Sequence, residues 1–315
     1  MTDTVNNRKP RRTGALLRSR RQGDLLFDVV NLSVLAALTA LFFYPMYMVF
    51  IASFSSPTML FNGKVMFLPR GSNIDGFRRV MNMPELWRGY LNSIYYTIVG
   101  TAVNLAITTT GAFALSRKRF WLKTPLSIMV MVTMFFGGGM IPSYLLVRDL
   151  RLINTVWALV LPGAVSTWNL IISRAFLGMT ISDELQDAAL IDGCGHIRFF
   201  LSIVLPLSST LVAILGMYYG VAHWNAYWNA LLYMTNKDRY PLQLVLRNIL
   251  RMAQIAIEEA KMGNNELIRN VDELYQRSES MKYIIVVAAV LPIMIVFPFI
   301  EKYFVKGVMI GSIKG

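Results

Sequence analysis

Residues 180–206 read TISDELQDAALIDGCGHIRFFLSIVLP and determine how the rest of the chain is interpreted. They form a polar interruption between two long apolar segments. Thr180 and Asp183 have the spacing of a helix capping box, and Gly193 and Gly195 are small residues that suit a tight turn. The pattern predicts two short helices joined by a turn.

The second of these helices has an apolar face. Ile197, Phe200, Leu201 and Val204 recur at i, i+3, i+4 and i+7, which is the period of an amphipathic helix. Amphipathic helices bind in grooves of partner proteins. Residues 180–206 are therefore predicted to be a compact helical loop that contacts another protein.

The composition indicates an integral membrane protein. Of 315 residues, 55% are hydrophobic and 16% are charged, and the mean hydropathy is +0.48. One cysteine, Cys194, excludes an intramolecular disulfide, and two histidines, His196 and His223, are too few for a histidine-rich metal site. We expect no catalytic residue and no metal ligand. Membrane topology explains the net charge of +13 more simply than nucleic-acid binding does.

Six apolar segments are long enough to cross a bilayer. They are residues 25–54, 90–116, 125–147, 154–176, 203–234 and 282–304. The short loop Arg117-Lys118-Arg119 is strongly basic, so the positive-inside rule places it and both termini in the cytoplasm. A cleaved signal peptide is the alternative for the N-terminus, but the first apolar run is too long for one.

The chain is predicted to have four regions. They are a basic cytoplasmic tail at 1–24, a first span with an extracytoplasmic loop at 25–89, a core of five spans at 90–304, and a cytoplasmic tail at 305–315. The core contains the loop at 180–206 and an extracytoplasmic loop at 236–281, with an amphipathic helix expected at 255–275. Gly137, Gly138 and Gly139 predict close packing or a helix break in the third span.

The helical loop carries a longer pattern with fixed spacing. Its residues are Asp187, Ala188, Ala189, Gly193, Ile203, Leu205 and Pro206. This pattern resembles the EAA signature of the ABC importer permeases, and its one departure is Asp187 in place of the usual glutamate. The resemblance implies an all-α type I importer transmembrane domain with six transmembrane helices. It also implies that the loop is the coupling helix, which sits in a cleft of a cytoplasmic ATPase.

The same resemblance implies a role for each of these residues. Asp187 would anchor the helix against the ATPase, the two alanines would allow a close fit, and Gly193 would form the turn. Ile203, Leu205 and Pro206 would link the loop to the fifth span, so that ATPase closure is passed on as rigid-body rocking.

Further segments resemble the carbohydrate branch of these permeases, and in particular the subgroup for oligosaccharides or polysaccharide fragments. They are FGGGMIP at 136–142, NTVWAL at 154–159, YPLQ at 240–243 and YFVKGVMIGS at 303–312. The family implies a second permease subunit, two ATPase subunits, an extracytoplasmic solute-binding protein and a bacterial cytoplasmic membrane. No Gly-x-x-x-x-Gly-Lys-Ser/Thr motif occurs, so ATP and Mg²⁺ are expected on the partner ATPase.

Aromatic rings stack on sugars, and asparagine amides both donate to and accept from hydroxyl groups. The candidates for a sugar path are Trp168, Asn169, Trp224, Asn225, Trp228 and Asn229. A straight fifth span would place Trp224 about 30 Å above Ile203, toward the outer half of the membrane. An interfacial aromatic belt and helix packing are equally good explanations of these residues.

Two other function classes remain open at this point. A secondary transporter or channel would work without an ATPase, and paired carboxylates inside the spans would favour it. The only carboxylates within the predicted spans are Asp28 and Glu301, and each lies near an end of its span. A membrane enzyme would need a convergent acid, base or metal cluster, and the sequence offers none.

Overall fold

The computed structural model describes residues 22–71, 74–262 and 281–298, and within these ranges the chain is helical with no strand. In chain order the helices are α1 (Gln22–Phe54), α2 (Pro57–Phe61), α3 (Ile74–Met81), α4 (Pro84–Ser116), α5 (Lys123–Phe135), α6 (Met140–Asp149), α7 (Val156–Val160), α8 (Thr167–Thr180), α9 (Asp183–Ile191), α10 (His196–Phe199), α11 (Leu205–Leu207), α12 (Ser209–Trp224), α13 (Trp228–Tyr233), α14 (Leu242–Met262) and α15 (Met281–Pro298). The cytoplasmic tail predicted at 305–315, nearly all of the tail at 1–24, and residues 263–280 of the predicted outer loop lie outside the described residues.

The chain divides into two compact units, Met1–Phe50 and Ile51–Gly315. In the first unit, the described part of α1 is apolar, and every side chain from Phe27 to Met46 is exposed. A helix that is apolar and uncovered needs lipid or a partner around it.

The apolar helices fall into two groups by length. Phe27–Phe54, Pro84–Ser116 and Met281–Pro298 are each long and apolar enough to cross a membrane alone. Val156–Gly163 with Thr167–Thr180, and His196–Leu207 with Ser209–Trp224, are bent pairs at 58° and 82°. By length and composition, the described residues therefore hold three candidate spans, or up to five if each bent pair is one span.

Helix α4 is the centre of the second unit, and it packs against α8, α12 and α14. The contact with α12 is close because Gly100 leaves room for the ring of His223. A Cβ at this glycine would stand 2.5 Å from His223 Nε2. Further along the same face, Thr108 Oγ1 lies 2.8 Å from the hydroxyl of Tyr219. Small and hydroxylated residues are common where membrane helices approach each other.

Two of the spans are broken where the sequence has glycine and proline. The predicted break in the third segment is present, because α5 ends at Phe135 and α6 begins at Met140 after Gly139, which has φ +85°. In the fourth segment the helix breaks after Pro162-Gly163. The buried amide of Asn104 donates to the freed carbonyl of Gly163 at 3.3 Å. Breaks of this kind are tolerated in a membrane when neighbouring groups satisfy the backbone.

Two predictions about the chain path were wrong. The fifth segment is not a straight helix from Ile203, since the chain bends by 82° near Ser208 and the helix ends at Trp224. Trp224 therefore does not lie about 30 Å above Ile203 along a single helix axis. The amphipathic helix of the predicted outer loop begins at Leu242, not at residue 255, because Leu242 and Leu246 are buried in a cluster with Leu86 and Ile284.

Two buried clusters mark the two ends of α4. At the Pro84 end, Leu86 packs with Trp224, Leu242 and Ile284. At the Ser116 end, Leu115 belongs to a cluster drawn from α8, α9, α10 and α12. The helical loop is therefore built onto the Ser116 end of α4.

Candidate functional site

Helix α9 begins at a cap that differs from the predicted one. Ser182 is the N-cap residue, and its hydroxyl accepts a hydrogen bond from Leu185 N at 3.3 Å. Thr180, the predicted capping residue, is instead the last residue of α8. Asp183 and Glu184 occupy the first turn, where carboxylates interact favourably with the helix dipole. The backbone N–H of Glu184 and the hydroxyl of Ser182 hold the pKa of Glu184 below its ordinary value.

The turn after α9 has a backbone conformation that favours glycine. Gly193 has φ +75°. Its N–H donates to Leu190 O at 3.1 Å, and Cys194 N donates to Ala189 O at 2.9 Å. This is the Schellman arrangement at a helix C-terminus. A Cβ at Gly193 would meet no atom of the described residues within 4 Å, so the preference for glycine comes from φ and not from crowding.

One side of the helical loop is buried in the chain itself. Ala189 is 8% exposed, and Phe199 and Val204 are each 1% exposed, all within the cluster at the Ser116 end of α4. The rings of Phe199 and Phe200 lie 6.1 and 5.4 Å from the ring of Phe113 on α4. The loop is therefore packed as part of the helix bundle.

Asp187 forms an ion pair within the chain. Both of its carboxylate oxygens accept from Arg119, with Nη1 at 2.8 Å and Nη2 at 3.2 Å. Paired, parallel hydrogen bonds of this kind fix orientation as well as distance. The acidic residue of the signature thus joins α9 to the basic loop after α4.

Arg117, in the same basic loop after α4, is buried and holds the start of the helical loop. Its guanidinium Nη2 donates to Ile181 O at 2.9 Å and to Leu177 O at 3.2 Å, while Nη1 lies 3.5 Å from Asp183 Oδ1. The residue is only 7% exposed, and its Cζ lies 5.3 Å from the centroid of the Phe113 ring. Burial lowers the pKa of Arg117, and the charge of Asp183 opposes that shift. From the sequence alone, Arg117 served only to predict which side of the membrane its loop faces.

The other side of the helical loop is open and apolar. Ile191 is 86% exposed, Ile197 is 78% exposed, and Met179 at the end of α8 is 79% exposed. Ala188 is exposed as well, so the two alanines of the signature face different surroundings. Exposed apolar clusters on a folded surface mark interaction sites.

The loop continues into the fifth segment through a π-helical turn at Phe200–Val204. Ile203 and Leu205 are half-buried, and Pro206 is exposed. Proline has no N–H to donate to the carbonyl of Ser202, which favours an irregular helix at this position. The three residues that end the signature therefore lie just before the 82° bend.

The sugar-path candidates do not form one cluster. Trp168 is 61% exposed and has no ring contact with the other two tryptophans among the described residues. Trp224 is 7% exposed and donates its indole N–H to Ala289 O at 3.1 Å. Trp228 is exposed and lies edge-on to Tyr227, with ring centroids 6.3 Å apart.

The asparagines that follow these tryptophans in the sequence also lie in different surroundings. Asn169 donates its backbone N–H to Ser166 Oγ at 3.4 Å, and its side chain is half-buried. Asn225 is the exposed C-cap of α12, and Asn229 is half-buried in α13.

A cavity of about 660 Å³ beside α14 was missed by the sequence interpretation. Arg247 and Arg251 line it, one helical turn apart. The spacing of two arginines at i and i+4 is the signal that could have identified it, because such residues share a helix face.

Comparison with known proteins identifies the family. The polygalacturonan/rhamnogalacturonan transport system permease protein YtcP of Bacillus subtilis (strain 168) is 33% identical over 291 residues, covering 92% of this chain and 99% of that one. A solved bacterial ABC transporter involved in the import of the acidic polysaccharide alginate matches with a TM-score of 0.76 and 26% identity, over 90% of this chain and 98% of that one. The chain belongs to the ABC sugar-transport permeases.

The permease also resembles the arabinooligosaccharides transport system permease protein AraQ of Halalkalibacterium halodurans. The two are 27% identical over 277 residues, which is 86% of this permease and 91% of AraQ. No protein-family model matches the permease.

Proposed function

We propose that this permease carries an oligosaccharide or polysaccharide fragment into a bacterial cell by alternating access, driven by a separate ATPase subunit. ATP and Mg²⁺ are bound by that ATPase and not by this chain. The other partners are a second, homologous permease subunit and an extracytoplasmic solute-binding protein. The carbohydrate class is supported by the named relatives, which transport polygalacturonan or rhamnogalacturonan and arabinooligosaccharides, and by the alginate importer.

The observation that carries this proposal is the two-sided helical loop. Arg117 and Arg119 tie its inner side to the end of α4. On the outer side, Ile191 and Ile197 are exposed and have room for a groove of the ATPase. A rigid helix that presents apolar side chains is suited to docking in a groove.

In this mechanism, Asp187 orients α9 through Arg119, while the ATPase contact is made by the exposed apolar side chains. Movement of α9 is transmitted through the guanidinium of Arg117 to α4 and to the end of α8. Residues 203–206 transmit it to α12. Packed helices move as bodies, so closure of the ATPase rocks the bundle and does not deform the loop.

The proposed topology has six spans in the bacterial cytoplasmic membrane, with both termini cytoplasmic. The broken α5–α6 segment is the sixth span, added to the three long helices and the two bent pairs. The basic residues 117–119 support the assignment of the helical loop to the cytoplasmic side. The tails at 1–24 and 305–315 are then cytoplasmic, and the segment between α12 and α15 is extracytoplasmic.

The experiment that tests this function compares the wild type with Gly193→Asp after purification in gentle detergent. Mass spectrometry identifies the bound proteins. Aspartate is among the residues that tolerate positive φ, and the site is open, so we expect the variant to insert and fold. We expect a second permease and an ATPase to copurify with the wild type, and the ATPase to be lost from the variant.

Gly195→Ala is the matched control, because Gly195 has φ −65° and open space around its Cβ position. It should retain the ATPase. A stable homo-oligomer without any ATPase, purified from membranes that contain the complex, would contradict the proposal and favour a secondary transporter or channel.

A further inference from the structure

The cavity beside α14 lies at the opposite end of α4 from the helical loop. Ala289, which lines the cavity, accepts the indole N–H of Trp224 at 3.1 Å. Trp224 in turn packs on Tyr90, with ring centroids 6.3 Å apart. Tyr90 lies in the second turn of α4, and Arg117 follows its last residue, about 40 Å away along a helix of this length. In the proposed topology the cavity is therefore on the extracytoplasmic side, where substrate arrives.

Among the described residues, the lining of the cavity has two positive charges and no acidic side chain. Arg247 is held in place by Tyr227, with its Cζ 5.9 Å from the ring centroid. Its Nη1 is buried and has no hydrogen-bond partner among the described residues. A buried guanidinium donor without an acceptor is unfavourable, so this arginine is prepared for an anionic ligand.

The remaining polar residues of the cavity suit a sugar ring. Tyr227 contributes an aromatic face, and Gln243 and Gln254 contribute amides that both donate and accept. Apolar side chains from α14 and α15, among them Leu246 and Ile285, complete the wall. An aromatic face, amides and a guanidinium together match a ring that carries both hydroxyl groups and a carboxylate.

We propose that this cavity binds the carboxylate of an acidic sugar residue, and so selects uronate-containing oligosaccharides. Arg247 is the primary ligand, because its planar fork can make two parallel hydrogen bonds to a carboxylate. Arg251, one turn further along α14, adds a second positive charge. This assignment rests on the proposed function, since it names the chemical class of the transported carbohydrate.

The test uses the whole importer in proteoliposomes, with ATP and its binding protein. Import of trigalacturonate is compared with import of its fully methyl-esterified form, which keeps the rings and lacks the charges. The variants are Arg247→Gln, Arg247→Lys, and the double change Arg247→Gln with Arg251→Gln. The control is Arg148→Gln, because Arg148 is exposed and pairs only with the adjacent Asp149 among the described residues.

We expect Arg247→Gln to raise the half-saturation concentration for trigalacturonate about tenfold, with a larger rise in the double variant, since hydrogen bonds to charged groups are the stronger class. Import of the methyl ester should stay within about twofold of wild type. Arg247→Lys should recover part of the loss, because lysine restores charge without the fork. Arg148→Gln should leave import of both sugars unchanged.

Three results would overturn the inference. Equal losses for the acid and its ester would assign Arg247 a structural role. If the wild type imported neutral maltotriose but not trigalacturonate, the cavity would not select acidic sugars, although the proposed function would stand. An Arg247→Gln defect that disappears when phosphatidylglycerol is replaced by phosphatidylcholine would identify a lipid-headgroup site. Import of no sugar by the wild type would instead refute the proposed function itself.

Discussion

Arg117 should contribute far more to anchoring the helical loop than its neighbour Arg119, although both pair with acidic residues of α9. The test replaces each with methionine, which keeps an unbranched apolar side chain and removes the charge. Arg117 donates from Nη2 to Leu177 O and Ile181 O, and from Nε to Ser116 Oγ. Arg119 makes its hydrogen bonds to Asp187 at the surface, with its side chain 81% exposed.

The magnitudes follow from burial. Hydrogen bonds to a charged donor contribute about 1.5 to 3 kcal/mol each when they are buried. Leu177 O retains a second donor, Ile181 N at 3.0 Å, so its loss is smaller. We expect Arg117→Met to reduce the free energy of opening the start of the helical loop, where Ile181 and Asp183 lie, by about 2 to 4 kcal/mol, which is a factor of roughly 30 to 700. An exposed ion pair contributes about 0.2 to 1 kcal/mol, so Arg119→Met should change opening by no more than about fivefold.

The assay is hydrogen exchange of the full chain in lipid nanodiscs, followed by mass spectrometry of peptides that cover residues 181–191. Lys118→Met is the control, since Lys118 is also paired with Asp183 but its side chain is 83% exposed. Its exchange should resemble that of Arg119→Met. The reasoning is refuted if Arg119→Met accelerates exchange as much as Arg117→Met, or if Arg117→Met stays within about threefold of wild type.

Two further substitutions test the packing of α4 and the cap of α9. Gly100→Ala should lower stability in thermal unfolding by about 1 to 3 kcal/mol, because the new Cβ would stand 2.5 to 2.7 Å from three ring atoms of His223. Gly216→Ala, whose nearest neighbour would be 3.7 Å away, should not, and equal effects would contradict the packing argument. Ser182→Ala should weaken α9 by about 1 kcal/mol in hydrogen exchange and Thr180→Ala should not, and the reverse order would restore the sequence-predicted cap.

The helical loop was predictable because its signals are local. Gly193 was placed in the turn by its position between two amphipathic segments, and the structure gives it a positive φ. The cap was not predictable, since Thr180, Ser182 and Asp183 are all residue types that cap helices. Packing decides among them, because Leu177 and Ile181 are each 1% exposed, and their burial extends α8 as far as Thr180.

The cavity was not predictable because it depends on the register of α14. With a helix expected at 255–275, Arg247 and Arg251 fell in a loop, and their shared face was not visible. The helix starts earlier because Leu242 and Leu246 fill a cluster with Leu86 from a distant part of the sequence. Sequence alone also gave no means of distinguishing Trp224, which is buried, from Trp228, which is exposed.

The basic loop after α4 combines two roles that depend on different properties of its side chains. Orientation in the membrane depends on positive charge, and the positive-inside rule counts lysine and arginine alike. Anchoring of the helical loop depends on a planar group with several donor nitrogens, since Arg117 uses Nη2 for two carbonyl oxygens and Nε for Ser116 Oγ, and Arg119 holds both oxygens of Asp187 with two nitrogens. The first role is satisfied by any basic residue at 117–119, whereas the second is specific to arginine at 117 and 119. Lysine lies only at 118, where the side chain is 83% exposed and meets Asp183 through a single nitrogen.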